Sequence, residues 1–202
     1  MFPALVHAEG ASGWEHPTVE SSSLSGQLLI SSPSLSDPNF DRTIVLLLDH
    51  DGDGALGLVL NRPSDLQVAE VLPNWSDHVA PPSLVFQGGP VADGVAIGLA
   101  RPAGSDPPEG WSTVIDDVGV VDLSADPATA HGLRSLRIFS GYAGWSPGQL
   151  EGELSLGAWF VVDAEGDDVL GPEPERLWSR VLRRQKGDLA RLALYPADPS
   201  LN

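Results

Sequence analysis

Gly141-Tyr142-Ala143-Gly144-Trp145-Ser146-Pro147-Gly148-Gln149-Leu150-Glu151 is the stretch on which the reading of this chain turns. The apolar run Leu136 to Phe139 before it has the character of a strand. Ser146 is placed to be an N-cap, Pro147 suits the first helical position, and Gln149 completes an S-x-x-Q capping box. The expectation is a strand, a glycine-rich turn and the start of a helix, a geometry that often carries chemistry. Gly144-x-Ser146-x-Gly148 also fits the nucleophile elbow of serine hydrolases. Two facts count against that reading. The elbow's oxyanion hole uses the backbone N–H of the residue after the nucleophile, and Pro147 has none. The triad order also needs a histidine after the serine, and the last histidine is His131. An anion at the helix N-terminus is a further alternative, opposed by the negative charge of Glu151 and Glu153. A helix cap is the favoured reading.

Upstream, Asp49-His50-Asp51-Gly52-Asp53-Gly54 matches the first half of a calcium loop. The twelfth position should be a bidentate glutamate, but it is Leu60. Gly52-x-Gly54-x-x-Gly57 satisfies a dinucleotide-binding pattern. That pattern must open a helix, whereas the next residues, Leu58 to Arg62, form an apolar run that stops at Pro63. The flanks are β-branched and apolar, so a hairpin with an acidic turn is expected, with weak calcium binding as the alternative.

Four blocks carry a resemblance. They are Gly26-Gln27-Leu28-Leu29-Ile30 with Pro33 and Phe40-Asp41-Arg42-Thr43; His50 followed by Gly54 to Pro63; Gly88-Gly89-Pro90-Val91; and the Gly141 to Glu151 stretch itself. In this order they make the chain similar to the AlgH/YqgE family of bacterial proteins over roughly residues 24 to 202. The resemblance implies one α/β (α+β) domain, a bent mixed β-sheet forming a pseudo-barrel flanked by helices. Members are commonly labelled as transcriptional regulators, with no catalytic mechanism established. Many relatives carry a cysteine two residues before the histidine; this chain has Leu48 there, so a thiol role proposed for relatives does not transfer.

Composition fits one cytoplasmic globular domain of 202 residues, able to bury about 70% of its unfolded-chain surface. Residues 1–23 lack periodicity and are expected to be a disordered tail before a domain over 24–202. No secretory signal and no membrane span are expected, since Met1 to Gly10 has no basic segment or sustained apolar run. The chain has no cysteine, which excludes disulfides, thiol catalysis and Cys-based zinc sites. No cofactor is implied.

The net charge of −17 bears on the regulator label. Affinity for duplex DNA comes largely from Lys and Arg that release counterions. This chain has 11 such residues against 28 acids, so direct duplex binding is not expected. Arg176, Arg180, Arg183 and Arg184, with Lys186, are the local exception, spaced along one face of an expected helix. Leu177, Trp178, Val181 and Leu182 form its apolar stripe. The arginines read as a solvated face, or as a docking face for an acidic partner or, less favoured, for nucleic acid.

Strands are expected at 26–31, 43–49, 55–61, 84–88, 95–100, 118–122, 136–140 and 158–162. Helices are expected at 65–72, 125–133, 147–155 and 173–186. Arg101 to Gly110 reads as a loop. His50, His78 and His131 lack metal-ligand spacing, so no metal site is assigned. Candidate ligand-binding residues are His50, Asn61, Arg62, Gln87, Gly88, Gly89, Tyr142 and Trp145. Asn61 and Arg62 should lie at the strand end away from His50. Gln87, Tyr142 and Trp145 would line a shared polar-aromatic pocket if the Gly88-Gly89 turn approaches them; the alternative is that these glycines serve backbone geometry alone. No catalytic residue is assigned. The functional expectation is a non-enzymatic regulatory or protein-interaction domain. The alternative is a small-ligand binder or enzyme using the turns around Gly88-Gly89 and Gly141 to Gly148.

Overall fold

The computed structural model describes residues 23–33, 35, 40–104, 110–127 and 132–194. Residues 1–22 of the expected tail over 1–23, 105–109 of the expected loop over 101–110, and 128–131 of the expected helix at 125–133, His131 among them, lie outside the described residues. The strands are β1 (Gln27–Ser31), β2 (Ile44–Asp51), β3 (Gly54–Val59), β4 (Pro63–Gln67), β5 (Leu84–Gln87), β6 (Val91–Pro102), β7 (Ser112–Ile115), β8 (Val118–Val121), β9 (Leu133–Trp145) and β10 (Trp159–Asp163). The helices are α1 (Val68–Val71), α2 (Gln149–Ser155), α3 (Gly166–Leu170), α4 (Leu177–Arg183) and α5 (Asp188–Leu192), with single 3₁₀ segments at Pro73–His78 and Pro174–Arg176. The sheet runs β10-β1-β2-β3-β9-β6-β8-β7 with every neighbour antiparallel. β5 adds a parallel pairing to β9, and β4 pairs with β5. The expected class holds: one curled, mixed sheet forming a half-barrel flanked by a few helices.

β1, β2 and β3 read as continuous apolar runs because both faces of this part of the sheet are covered. Side chains alternate along a strand, so each run splits between two cores. Leu28, Ile30, Ile44, Leu46 and Leu58 face a core closed by Leu177, Trp178, Val181 and Leu182 of α4. Leu29, Val45, Leu47 and Val59 face a second core with Trp145, Leu150 and Trp159. A third core, around Trp75, Val85, Leu136 and Ile138, lies by the Pro73–His78 segment. β9 contributes to all three, through Phe139, Trp145 and Leu136. Among the described residues no helix is long and apolar enough to cross a membrane.

Several expected elements are corrected. Gly141 to Trp145 is not a turn: β9 runs unbroken from Leu133 to Trp145, with Gly141 at a positive φ of 70°. It lies where the pairing with β6 shifts between Val91 and Ala96. α2 starts at Gln149, not 147, behind Gly148 in the left-handed conformation, and no side chain caps it. Ser146 is exposed. Half of the expected capping box does form, since the Ser146 N–H donates to Gln149 Oε1 at 3.1 Å. The segment 65–72 is strand before it is helix: Ser64 accepts from the Leu66 N–H and donates to the Val85 carbonyl, tying β4 to β5. In place of one helix over 173–186 there is a 3₁₀ turn and the shorter α4, whose apolar stripe is buried as read. β7, α3 and α5 are additions to the expected set.

The glycines of the Gly88-Gly89 turn are needed for close approach. A Cβ on Gly88 would fall inside the contact shell of the Gly141 carbonyl oxygen, and one on Gly89 inside that of the Tyr142 carbonyl. Gly88→Ala should therefore cost roughly 1–3 kcal/mol or more of stability. Gly94→Ala, where an added Cβ meets nothing, should stay within about 0.5 kcal/mol. Urea titration measures both; equal effects would show that the crossing yields without strain.

Candidate functional site

The chain leaving β5 makes a corner between three strands. The Gln87 N–H donates to the Arg62 carbonyl, the Gly88 N–H to the Ser140 carbonyl, and the Val59 N–H to the Gly88 carbonyl, each at 2.8 Å. An open cleft of about 680 Å³ lies beside this corner. Phe40, Val59, Leu66, Val85 and Phe86 give it apolar walls, and Pro90 lies at the turn. Its polar groups come from Arg62, Ser64, Gln87, Asp93 and Ser140. The size falls within the range of ligand pockets.

Arg62 is the half-buried charge of the cleft. Its Nη2 donates to the Asp41 carbonyl at 2.5 Å and to Thr43 Oγ1 at 3.2 Å. That fixes one edge of the guanidinium and leaves Nη1 and Nε without a hydrogen-bond partner among the described residues. The hydroxyls, by contrast, are committed. Ser64 Oγ donates to the Val85 carbonyl at 2.7 Å, and Ser140 Oγ donates to the Asp93 carbonyl. Arg62 also lines an adjoining cavity of about 460 Å³ with Arg42, Asn61, Glu175 and Trp178. There Arg42 stacks 4.3 Å over the Trp178 ring. Asn61 accepts from the Ile44 N–H at 3.0 Å and donates to the Arg42 carbonyl at 2.8 Å, so it anchors the Asp41–Thr43 segment.

The structure thus brings Arg62, Gln87 and Gly89 to one cleft, with Asn61 next door and Gly88 forming the corner. It does not bring His50, Tyr142 or Trp145 there. As read from the sequence, His50 is at the far end of β2, six residues and about 20 Å of strand from Ile44. It is buried, and its Nδ1 accepts from the Leu24 N–H at 3.1 Å. An N–H can only donate, so the ring proton sits on Nε2, which donates to Glu151 Oε1 at 2.8 Å. The expected pocket shared by Gln87, Tyr142 and Trp145 does not form. Trp145 is buried under α2, and Tyr142 packs against the core faced by α4. Trp145 Nε1 and Trp159 Nε1 both donate to Glu153 Oε2, at 2.9 and 2.7 Å. Among the described residues no group of three His, Cys, Asp or Glu is placed to hold a metal ion.

The arginines of α4 divide. Arg184 donates to both carboxylate oxygens of Asp168, at 2.8 and 2.6 Å, and Asp168 is buried. Arg180 donates to the Asp167 carbonyl. Arg176 pairs with Glu173, and Arg183 is exposed. Two of the four therefore hold α3 against α4. Sequence reasoning missed Phe40, Ser64, Leu66, Asp93 and Ser140 in the cleft, and it missed Arg137. Arg137 is buried in β9 and stacks 4.4 Å over Phe86. It donates to the carbonyls of Val169, Pro81 and Gly171 at 2.6, 2.7 and 3.0 Å. Burial pushes its pKa down to about 10, so it stays charged at neutral pH.

Three variants test this geometry by their stability. The Glu151 carboxyl is held below the usual carboxylate range by a hydrogen bond from its own backbone N–H and another from His50. A depressed folded pKa contributes stability above the unfolded value, lost as pH falls through the folded one. The wild type should therefore lose stability relative to Glu151→Gln between about pH 5 and pH 3; parallel urea midpoints would refute this. Glu153→Ala leaves two indole N–H groups without their acceptor and should cost about 2 kcal/mol or more. Ser146→Ala should stay within about 0.5 kcal/mol, because that hydroxyl caps nothing. A Ser146 cost near 1 kcal/mol would restore it as a cap.

The comparisons agree on lineage. The AlgH-like family profile matches residues 28–190. A UPF0301 protein of Streptomyces coelicolor is 55% identical over 188 residues, covering 91% of this chain and 97% of that protein. One of Streptomyces avermitilis is 56% identical over the same length. A crystal structure of a Corynebacterium diphtheriae protein superposes with a TM-score of 0.80 at 30% identity, covering 85% of this chain and 92% of that one. The solution structure of the AlgH protein from Pseudomonas aeruginosa superposes at 0.65 with 32% identity, covering 92% and 98%. On sequence and on fold alike, the chain belongs to the AlgH-like family.

Proposed function

We propose that this is a non-enzymatic regulatory domain of the cytoplasm that works by binding, and that the cleft beside Arg62 is where it binds. The observation that carries this is how the cleft's polar groups are used. Ser64 and Ser140 spend their hydroxyl protons on backbone carbonyls, so neither is poised as a nucleophile. The one histidine–carboxylate pair described, His50 with Glu151, serves the opposite end of β2. What the cleft offers freely is a guanidinium edge, the Gln87 amide and apolar walls, which suit recognition.

Regulation through protein contacts fits the chain better than regulation through DNA. With −17 net charge, a duplex is repelled except where cations cluster. The α4 cluster is the only one in the sequence, and Arg180 and Arg184 are engaged with α3.

A thermal-shift screen of metabolites followed by mass spectrometry tests the reading. A ligand that binds only the native state must raise stability. The expected result is a stabilising ligand, recovered chemically unchanged after prolonged incubation, whose effect is weakened by Gln87→Ala. Turnover of that ligand would overturn the non-enzymatic reading. In a gel shift at physiological salt no duplex should bind at nanomolar concentration; a tight complex with a steep salt slope would overturn the reading against DNA.

A further inference from the structure

Two opposite charges line the Arg62 cleft without neutralising each other. Arg62 presents Nη1 and Nε, its other amine being held by Asp41 and Thr43. Asp93 is exposed on the irregular start of β6, fixed there through its carbonyl by Ser140. Neither has an ion-pair partner among the described residues. The same cleft is lined by the apolar side chains of Leu66 and Val85 and by the Gln87 amide.

From this we infer that the cleft binds a zwitterion: a molecule with a carboxylate at one end, an ammonium at the other and an apolar side chain, the chemistry shared by hydrophobic free amino acids and short peptides. The inference rests on the binding role proposed for the cleft. A planar guanidinium with an open edge accepts a carboxylate in a bidentate fork. A carboxylate such as that of Asp93 receives an ammonium. A simple anion fits less well, because Asp93 and the general acidity of the chain oppose it. A simple cation leaves the half-buried Arg62 uncompensated. The zwitterion alone meets both charges and adds none to a protein already at −17.

Calorimetry on the full chain decides it with four probes: L-phenylalanine, the dipeptide leucyl-phenylalanine, N-acetyl-L-phenylalanine, which lacks the ammonium, and L-phenylalanine amide, which lacks the carboxylate. At least one zwitterion should bind about tenfold or more tightly than either blocked form. Phenylalanine or the dipeptide as the tighter binder separates free amino acid from peptide. Asp93→Asn, on an exposed side chain whose carboxylate has no hydrogen bond or ion pair among the described residues, should abolish the preference over the N-acetyl acid; Arg62→Gln should abolish that over the amide. Circular dichroism checks that Arg62→Gln still folds; if it does not, Asp93→Asn decides alone. Equal binding of free and N-acetyl phenylalanine overturns the inference in favour of an anion site and leaves the cleft a binding site. Absence of binding by all four overturns it too, while the metabolite screen still judges the cleft. Chemical conversion of a bound zwitterion overturns only the non-enzymatic reading.

Discussion

The structure depends on one backbone crossing, where Gly88 and Gly89 lie against Gly141 and Tyr142. β5 runs parallel to β9 up to that point, and then its carbonyl at Gly88 is handed to β3. With no side chain on Gly88, Gly89 or Gly141, the two backbones come close enough for β3 and β5 to share the same side of β9. This fork in the sheet sets the place of the cleft, which is lined by Val59 of β3 and by Val85, Phe86 and Gln87 of β5. The glycines of these two distant segments thus serve backbone geometry, and the polar side chains of the cleft come from their neighbours.

Charge inside the molecule follows a related logic. Arg137 sits in β9 without a carboxylate; its two terminal amines donate to three carbonyls, two of them at the end of α3, while its buried Nε has no hydrogen-bond partner among the described residues. Carbonyls at a helix C-terminus carry partial negative charge and lack intrahelical partners, so a cation suits them. The other end of α3 is tied by Asp168, which accepts from the Glu165 N–H and from Arg184. A five-residue helix is too short to persist alone. α3 exists because it is clamped at both ends by arginines from β9 and α4.

The fold was legible wherever local pattern and tertiary burial agree. The apolar runs of β1, β2 and β3, the acidic hairpin and the stripe of α4 were read within a few residues. Gly141 to Trp145 was misread because glycines signal turns locally, while here they are demanded by a strand crossing that no local pattern encodes. The site was half legible. Arg62, Gln87 and Gly89 stood out through their motifs. Phe40, Asp93 and Ser140 did not, because they come from three segments joined only by the curl of the sheet. Trp145 and His50 drew attention as unusual residues, yet their polar atoms are consumed by Glu153, Glu151 and Leu24, partners visible only in three dimensions.

The pairing of β1 with β10 has a consequence for how the protein is made. Gln27 lies opposite Asp163, so the outer edge of β1, with Leu28, Leu29 and Ile30 at its centre, finds its partner 136 residues later in the chain (163 − 27). At ribosomal speeds of roughly 5–20 residues per second, about 7–27 s separate the synthesis of the two. Until β10 is made, the edge of β1 that it covers in the folded protein has no strand partner, and a bare strand edge is a template for association.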